Sequence, residues 1–235
     1  MGYNFMQTEK RNIIAMETSE SICSVALGNG QILLGEITLN KSNAHNERLA
    51  WMVDWLLKEQ NLSMDDIEAV VISAGPGSYT GLRIGFSFAR GLIYPFNTRL
   101  ITVPTPEVYA FKEKHNSIKI VAVMDARRQE LYVGEYRFNN STLREELPVS
   151  VISIADFFQK YQAQKIQLAG SGIPLIVDHA KNTGIKIGWK IPEIIINPVT
   201  AKDLYNYGNI LLNAGLQKHY NLEEPLYVRD FKGTY

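Results

Sequence analysis

The sequence predicts an α/β protein of two related lobes, each a mixed sheet flanked by helices. Three observations carry that prediction. Runs of strand and helix length follow one another as strand, strand, strand, helix, strand, helix, strand, and the order approximately repeats. The segments IIAMETSESICSVAL (residues 13–27) and IVAVMDARRQELYVG (120–134) each run strand, acidic residue, polar turn, strand, with Glu17 and Asp125 in equivalent places. Finally, SAGPGSYTGLRIGFSFARGL (73–92) joins an apolar strand, through a glycine turn, to a helix that is apolar or small around most of its girth. Such a helix must be covered on more than one side.

Taken in order, residues 1–9 read as a frayed extension outside the fold. Strands follow over 10–17 and 21–27, and the Gly28-Asn29-Gly30 turn leads into a third over 31–39. A helix spans 44–60, capped by Ser42 or Asn43, with Leu49, Met52, Val53, Leu56 and Leu57 as its core stripe. Trp51 and Trp55, one turn apart, point the other way among charged residues. The strand 69–73 enters the turn of Gly75, Pro76 and Gly77, where proline fixes φ and the glycines admit conformations closed to other residues. Ser78 or Thr80 caps the helix that continues to about Tyr94, where Pro95 stops it. Gly81, Gly85 and Ala89 form a stripe on it that would let another helix approach closely. A short strand over 99–103 ends at Pro104.

The Pro104-Thr105-Pro106 segment marks a lobe boundary. It divides an N-terminal lobe, 10–104 with the tail 222–235 packing back, from a smaller lobe, 105–221. The second lobe reads as helix 106–114, strands 118–125 and 130–138, a polar stretch, and a strand over 149–152. Helix 154–161, strand 165–169, the Gly170-Ser171-Gly172 turn, a helix over 174–181 and a short strand follow. Residues 200–220 form an amphipathic helix, and EPLYVRD in the tail cannot be helical across Pro225.

Composition narrows the function. The 235 residues carry 24 basic and 24 acidic side chains, so net charge is zero and strong independent nucleic-acid binding has no electrostatic footprint. Cys23 is the single cysteine, which excludes an internal disulfide and a thiolate metal cluster and fits a reducing cytoplasm. No apolar run is long enough to span a membrane, and the N-terminus lacks a signal-peptide apolar region.

The glycine turn has three readings. Gly75, Gly77 and Ser78 could present backbone N–H groups to a phosphate at the helix N-terminus. They could equally form a tight turn whose Ser78 caps the helix. The sequence is no Walker loop, because Gly-Lys-Ser/Thr is missing, and a nucleophilic Ser78 does not fit the G-x-S-x-G elbow. Glu17, Ser19 and Asp125 sit at strand ends, where carboxylates could face a cleft and hold a metal-bound nucleotide, or merely cap turns. His45, His115, His179 and His219 include no H-x-x-x-H pair. Trp51 and Trp55 on the polar side of a helix point to an interface, either with another part of the chain or with a partner.

The stretch GPGSYTGLRIG, with METSESICSVAL before it and DARRQELYVGEY and EPLYVRD after it, resembles the TsaB (YeaZ) family, accessory proteins of transfer-RNA threonylcarbamoyladenosine synthesis. The motifs run from about Asn12 to Asp230. The resemblance implies the duplicated actin-like ATPase (ribonuclease H-like) fold, no catalytic residue of its own, and work as a scaffold for the related transferase TsaD. TsaD uses a metal held by H-x-x-x-H, which is missing here. In the family two first-lobe helices pack against their equivalents in TsaD, or against themselves when TsaD is absent. Those helices map onto 44–60 and 80–94, making Trp51, Trp55, Gly81, Gly85, Phe88 and Ala89 the expected interface. A TsaE-type ATPase would bind the pair, and transfer RNA would be held by the complex. No cofactor is firmly implied; ATP or ADP with magnesium, in the complex, is the candidate. Glu17 departs from the aspartate many relatives have. Two rivals stand beside the scaffold: a small ATP-dependent kinase or ATPase using Glu17, Asp125 and the turn, and a peptidase using Ser78.

Overall fold

The structure is a computed structural model that describes residues 11–30, 32–41, 44–113, 118–140, 142–192, 197–216 and 224–228. The expected extension 1–9, the caps Ser42 and Asn43, the helix ends at 114 and 217–220, and tail positions 222–223 and 229–235 lie outside these.

The first sheet contains β1 (Asn12–Glu17), β2 (Cys23–Gly28), β3 (Leu33–Leu39), β4 (Ile67–Gly75) and β5 (Arg99–Pro104), ordered β3-β2-β1-β4-β5. β1, β2 and β3 pair antiparallel, and β4 and β5 run parallel to β1. The second sheet repeats the scheme one strand short. It holds β6 (Lys119–Asp125), β7 (Glu130–Asn139), β8 (Thr142–Ser153) and β9 (Ile166–Ala169), in the order β8-β7-β6-β9, with β9 parallel to β6. The repeat extends to single hydrogen bonds. Glu17 and Asp125 end the first strand of their sheets, and each accepts the N–H two residues on, from Ser19 and Arg127.

Five layers result. Helices α1 (Ala44–Glu59) and α2 (Tyr79–Ile93) cover the outer face of the first sheet through Leu49, Met52, Val53, Leu56, Leu57, Phe86 and Ala89. The inner faces of both sheets share one core with α3 (Thr105–Lys112) and α6 (Ala201–Asn213) between them. Helices α4 (Ile154–Tyr161) and α5 (Ile173–Thr183) close the far side of the second sheet. α6, which follows the second sheet in the chain, lies on the first: a Cβ on Gly28 would meet the Tyr205 ring, and one on Gly208 would meet Val71.

Three elements differ from expectation. The short strand expected after helix 174–181 is, among the described residues, only a single bridge from Lys190 to Gln167. β8 begins at Thr142, through the stretch read as a polar loop. It is an edge strand with side chains largely exposed, and ladder bonds to β7 rather than burial hold it. α6 ends at Asn213, short of the expected 220, because Gly215 takes φ +70° and Leu216 N–H bonds back to the Leu211 carbonyl.

Candidate functional site

Ser78 is the N-cap of α2, its Oγ accepting the Gly81 N–H at 3.2 Å. This leaves the hydroxyl in a capping role. The turn after β1 is pressed into the same helix start. Ser78 N–H donates to the Ser19 carbonyl at 2.6 Å. A Cβ on Gly77 would lie 2.1 Å from the Ser19 carbonyl oxygen, and one on Gly81 2.1 Å from that of Thr18. One turn on, a Cβ on Gly85 would lie 2.3 Å from Thr18 Oγ1. The small stripe therefore exists to admit the chain's own β1 turn. Gly81, Gly85 and Ala89, expected to meet a partner helix, are buried within the chain's own fold.

A cleft of about 620 Å³ opens where the strand ends of both sheets meet. Ser19, Gly77, Ser78 and Asp125 line it; Glu17 and Gly75 do not. Glu17 is fully buried, its Oε1 accepting from Ser19 N–H and Ser73 Oγ while Oε2 has no hydrogen-bond partner. Burial pushes its carboxyl up to about 7, against hydrogen bonds from Ser19 and Ser73 and with help from nearby Glu20. The carboxylate of the β1 turn that reaches the cleft, alongside Asp125, is Glu20, which sequence reasoning passed over within the polar TSES turn. It accepts from Tyr109 Oη and Ser171 Oγ and so ties the first sheet to α3 and the β9–α5 turn.

Nucleotide held through magnesium at the glycine turn needs an accessible carboxylate and open amide donors. Glu17 is sealed off, Asp125 on the cleft is engaged by the Arg127 N–H and guanidinium and Glu20 by Tyr109 and Ser171, the Ser78 amide is engaged, and the Thr18 and Ser19 carbonyls occupy the helix start. These residues do not fit a phosphate cradle, and no step is derived through a nucleotide. Among the described residues no group of three His, Cys, Asp or Glu side chains is placed to hold a metal ion. No helix among them is long and apolar enough to cross a membrane.

The other half of the site is the outward side of α1 and α2. Trp51 is 49% exposed and Trp55 42%, their ring centroids 6.4 Å apart. A groove of about 600 Å³ runs between the helices, lined by His45, Ala50, Tyr79, Arg83, Ile84 and Phe88 among others. Phe88 is half-buried, one edge against the core. Of the expected interface residues, Trp51 and Trp55 are exposed on α1, Phe88 lines the groove, and Gly81, Gly85 and Ala89 are buried.

A protein-family model described as TsaD, tRNA N6-adenosine threonylcarbamoyltransferase, matches residues 33–230. The chain belongs to this family, on its TsaB (YeaZ) branch. The Bacillus subtilis tRNA threonylcarbamoyladenosine biosynthesis protein TsaB is 32% identical over 63% of this chain and 64% of its own length. The Haemophilus influenzae TsaB is 33% identical over 52% of each chain, so these two matches span only half to two thirds of the relatives. The Escherichia coli TsaB is 28% identical over 93% of this chain and 94% of its own. In fold, the chain superposes on YeaZ from Pseudomonas aeruginosa with a TM-score of 0.74 at 22% identity, covering 92% of this chain and 99% of that one. The expected α/β architecture, two related mixed sheets flanked by helices, is the one observed.

Proposed function

We propose that this chain is a TsaB-type subunit without turnover of its own, which binds and organises a TsaD-type transferase. The reaction served is N6-threonylcarbamoylation of the adenosine beside the transfer-RNA anticodon. The observation that carries the reading is the pair Trp51 and Trp55, exposed together on α1. A tryptophan presents up to about 250 Å². At exposures of 49% and 42%, covering both removes on the order of 200 Å² from water, roughly 5 kcal/mol. Relatives named for threonylcarbamoyladenosine biosynthesis and a family model named for the transferase supply the class of partner.

Because chain and transferase match one family model, the partner carries a related first lobe, and helix pair meets helix pair about an approximate twofold axis. The contact set is Trp51, Trp55, Ile84 and Phe88. A second copy of the chain takes the same face when the transferase is absent. A TsaE-type ATPase joins the pair in the cytoplasm, and the assembled complex holds the transfer RNA, in keeping with zero net charge on this chain.

Trp55→Glu tests the reading in a pull-down with the transferase of the same cell. A central tryptophan is worth about 2 kcal/mol or more, so binding should weaken at least about 30-fold while the melting temperature stays near wild type. Undiminished capture by the variant would sink the interface.

A further inference from the structure

The short tail segment 224–228 has no part in the face described so far, yet it is built into that face's edge. Leu226 N–H donates to the Ala74 carbonyl at 2.7 Å, at the end of β4 and just before the glycine turn. The Leu226 side chain packs against the core under α1 and α2, and its carbonyl oxygen lies 3.5 Å from where a Cβ on Gly75 would stand. This anchoring sets the next residue outside. The Tyr227 ring stands 5.7 Å from the ring of Tyr79, the first residue of α2, and both tyrosines are about 40% exposed. Arg83, one turn along α2, donates to Tyr79 Oη at 2.6 Å with its guanidinium 5.1 Å from the Tyr79 ring centroid.

Tyr79 and Arg83 are at the same time lining residues of the α1–α2 groove. Ile84 and Phe88, which line the same groove, therefore adjoin an outer cluster of Tyr79, Arg83 and Tyr227. Tyrosine and arginine are the residue types that, with tryptophan, dominate binding energy at protein interfaces. A guanidinium held by a neighbouring hydroxyl loses less freedom when it meets a carboxylate. The family model that matches this chain extends through the segment, to residue 230.

We propose that the tail segment completes the docking face: Tyr227, seated by Leu226, forms with Tyr79 and Arg83 a second anchor for the transferase, beyond the tryptophan pair. The partner chemistry it fits is a helix end that lays an apolar side chain across the exposed edge of the tyrosine pair and a carboxylate on Arg83. This inference rests on the function proposed above and adds a place to it.

The test is equilibrium binding of the full-length chain to the transferase, with Tyr227→Ala and Arg83→Gln beside Trp55→Glu. Both outer positions are exposed, so circular dichroism and melting temperature should match wild type. Tyr227→Ala should raise Kd about tenfold or more. Arg83→Gln should do likewise and flatten the dependence of Kd on salt. Leu226→Ala, which loosens the seat and leaves the tyrosine in place, should lie between Tyr227→Ala and wild type. If Trp55→Glu abolishes binding while both outer variants bind within twofold of wild type, the inference fails and the proposed function stands. If the wild-type chain does not bind the transferase, both fall.

Discussion

Glu17→Gln should change how stability depends on pH, with a size set by the environment of one carboxyl. Glu17 is fully buried, Ser19 N–H and Ser73 Oγ share its Oε1, and Oε2 is unpartnered. Burial lifts it from 4.5 to about 7, so the folded chain keeps its proton over a range where the unfolded chain has released it. Between those values the unfolded state binds fewer protons, and stability falls as pH rises. At 1.36 kcal/mol per pH unit, the loss from pH 4.5 to 7 is roughly 3 kcal/mol, with little further change above. Glutamine keeps the acceptor for Ser19 and Ser73 and has no proton to lose. Other carboxylates contribute their own slopes. Glu135, held down to about 2 by Lys119, Lys160 and Tyr161 despite its burial, is one, and its contribution is lost only in acid below the ordinary glutamate range. The useful quantity is therefore the variant minus wild type, from urea unfolding at pH 4 to 8. That difference should swing by about 3 kcal/mol in favour of the variant across pH 4.5 to 7. A flat difference over that window would refute the assignment of Glu17 as a protonated, buried group.

Two other substitutions separate fold from docking. Gly85→Ala places a Cβ 2.3 Å from Thr18 Oγ1 and should destabilise by about 1–3 kcal/mol in denaturant, with Thr18→Ala recovering part of the loss; no loss would mean that α2 does not rest on the β1 turn. Trp55→Glu should show the reverse pattern, unfolding like wild type and failing to dock, because its indole is 42% exposed.

The frame of the fold was legible because periodicity survives wherever a face is buried. The α1 stripe of Leu49, Met52, Val53, Leu56 and Leu57 is buried as its spacing implies, and Trp51 and Trp55 stand outside it. The equivalence of Glu17 and Asp125 holds to the level of one hydrogen bond each. What periodicity cannot carry is which neighbour fills a gap. The glycine stripe of α2 reads identically whether a partner helix or the chain's own Thr18 lies against it, and only the three-dimensional register decides. β8 was hidden because an edge strand with exposed side chains has no apolar alternation to read. Which carboxylate at the end of β1 meets the cleft depends on how the following TSES turn folds over β4: Glu17, ending the strand, points in to Ser73, and Glu20, in the turn, out to Tyr109 and Ser171. The Tyr79–Arg83–Tyr227 cluster joins residues 79 and 227, a contact that local pattern does not encode.

The proposed role, organising a transferase rather than catalysing, makes a direct prediction. It is tested most directly by transfer-RNA modification with purified components: the cell's own TsaD-type transferase supplied with threonylcarbamoyl-adenylate, with and without this chain. The account predicts modification that depends on the chain, is lost with Trp55→Glu, and persists with Ser78→Ala, whose hydroxyl only caps α2. Full modification by the transferase without the chain, or its loss with Ser78→Ala while docking is intact, would contradict it.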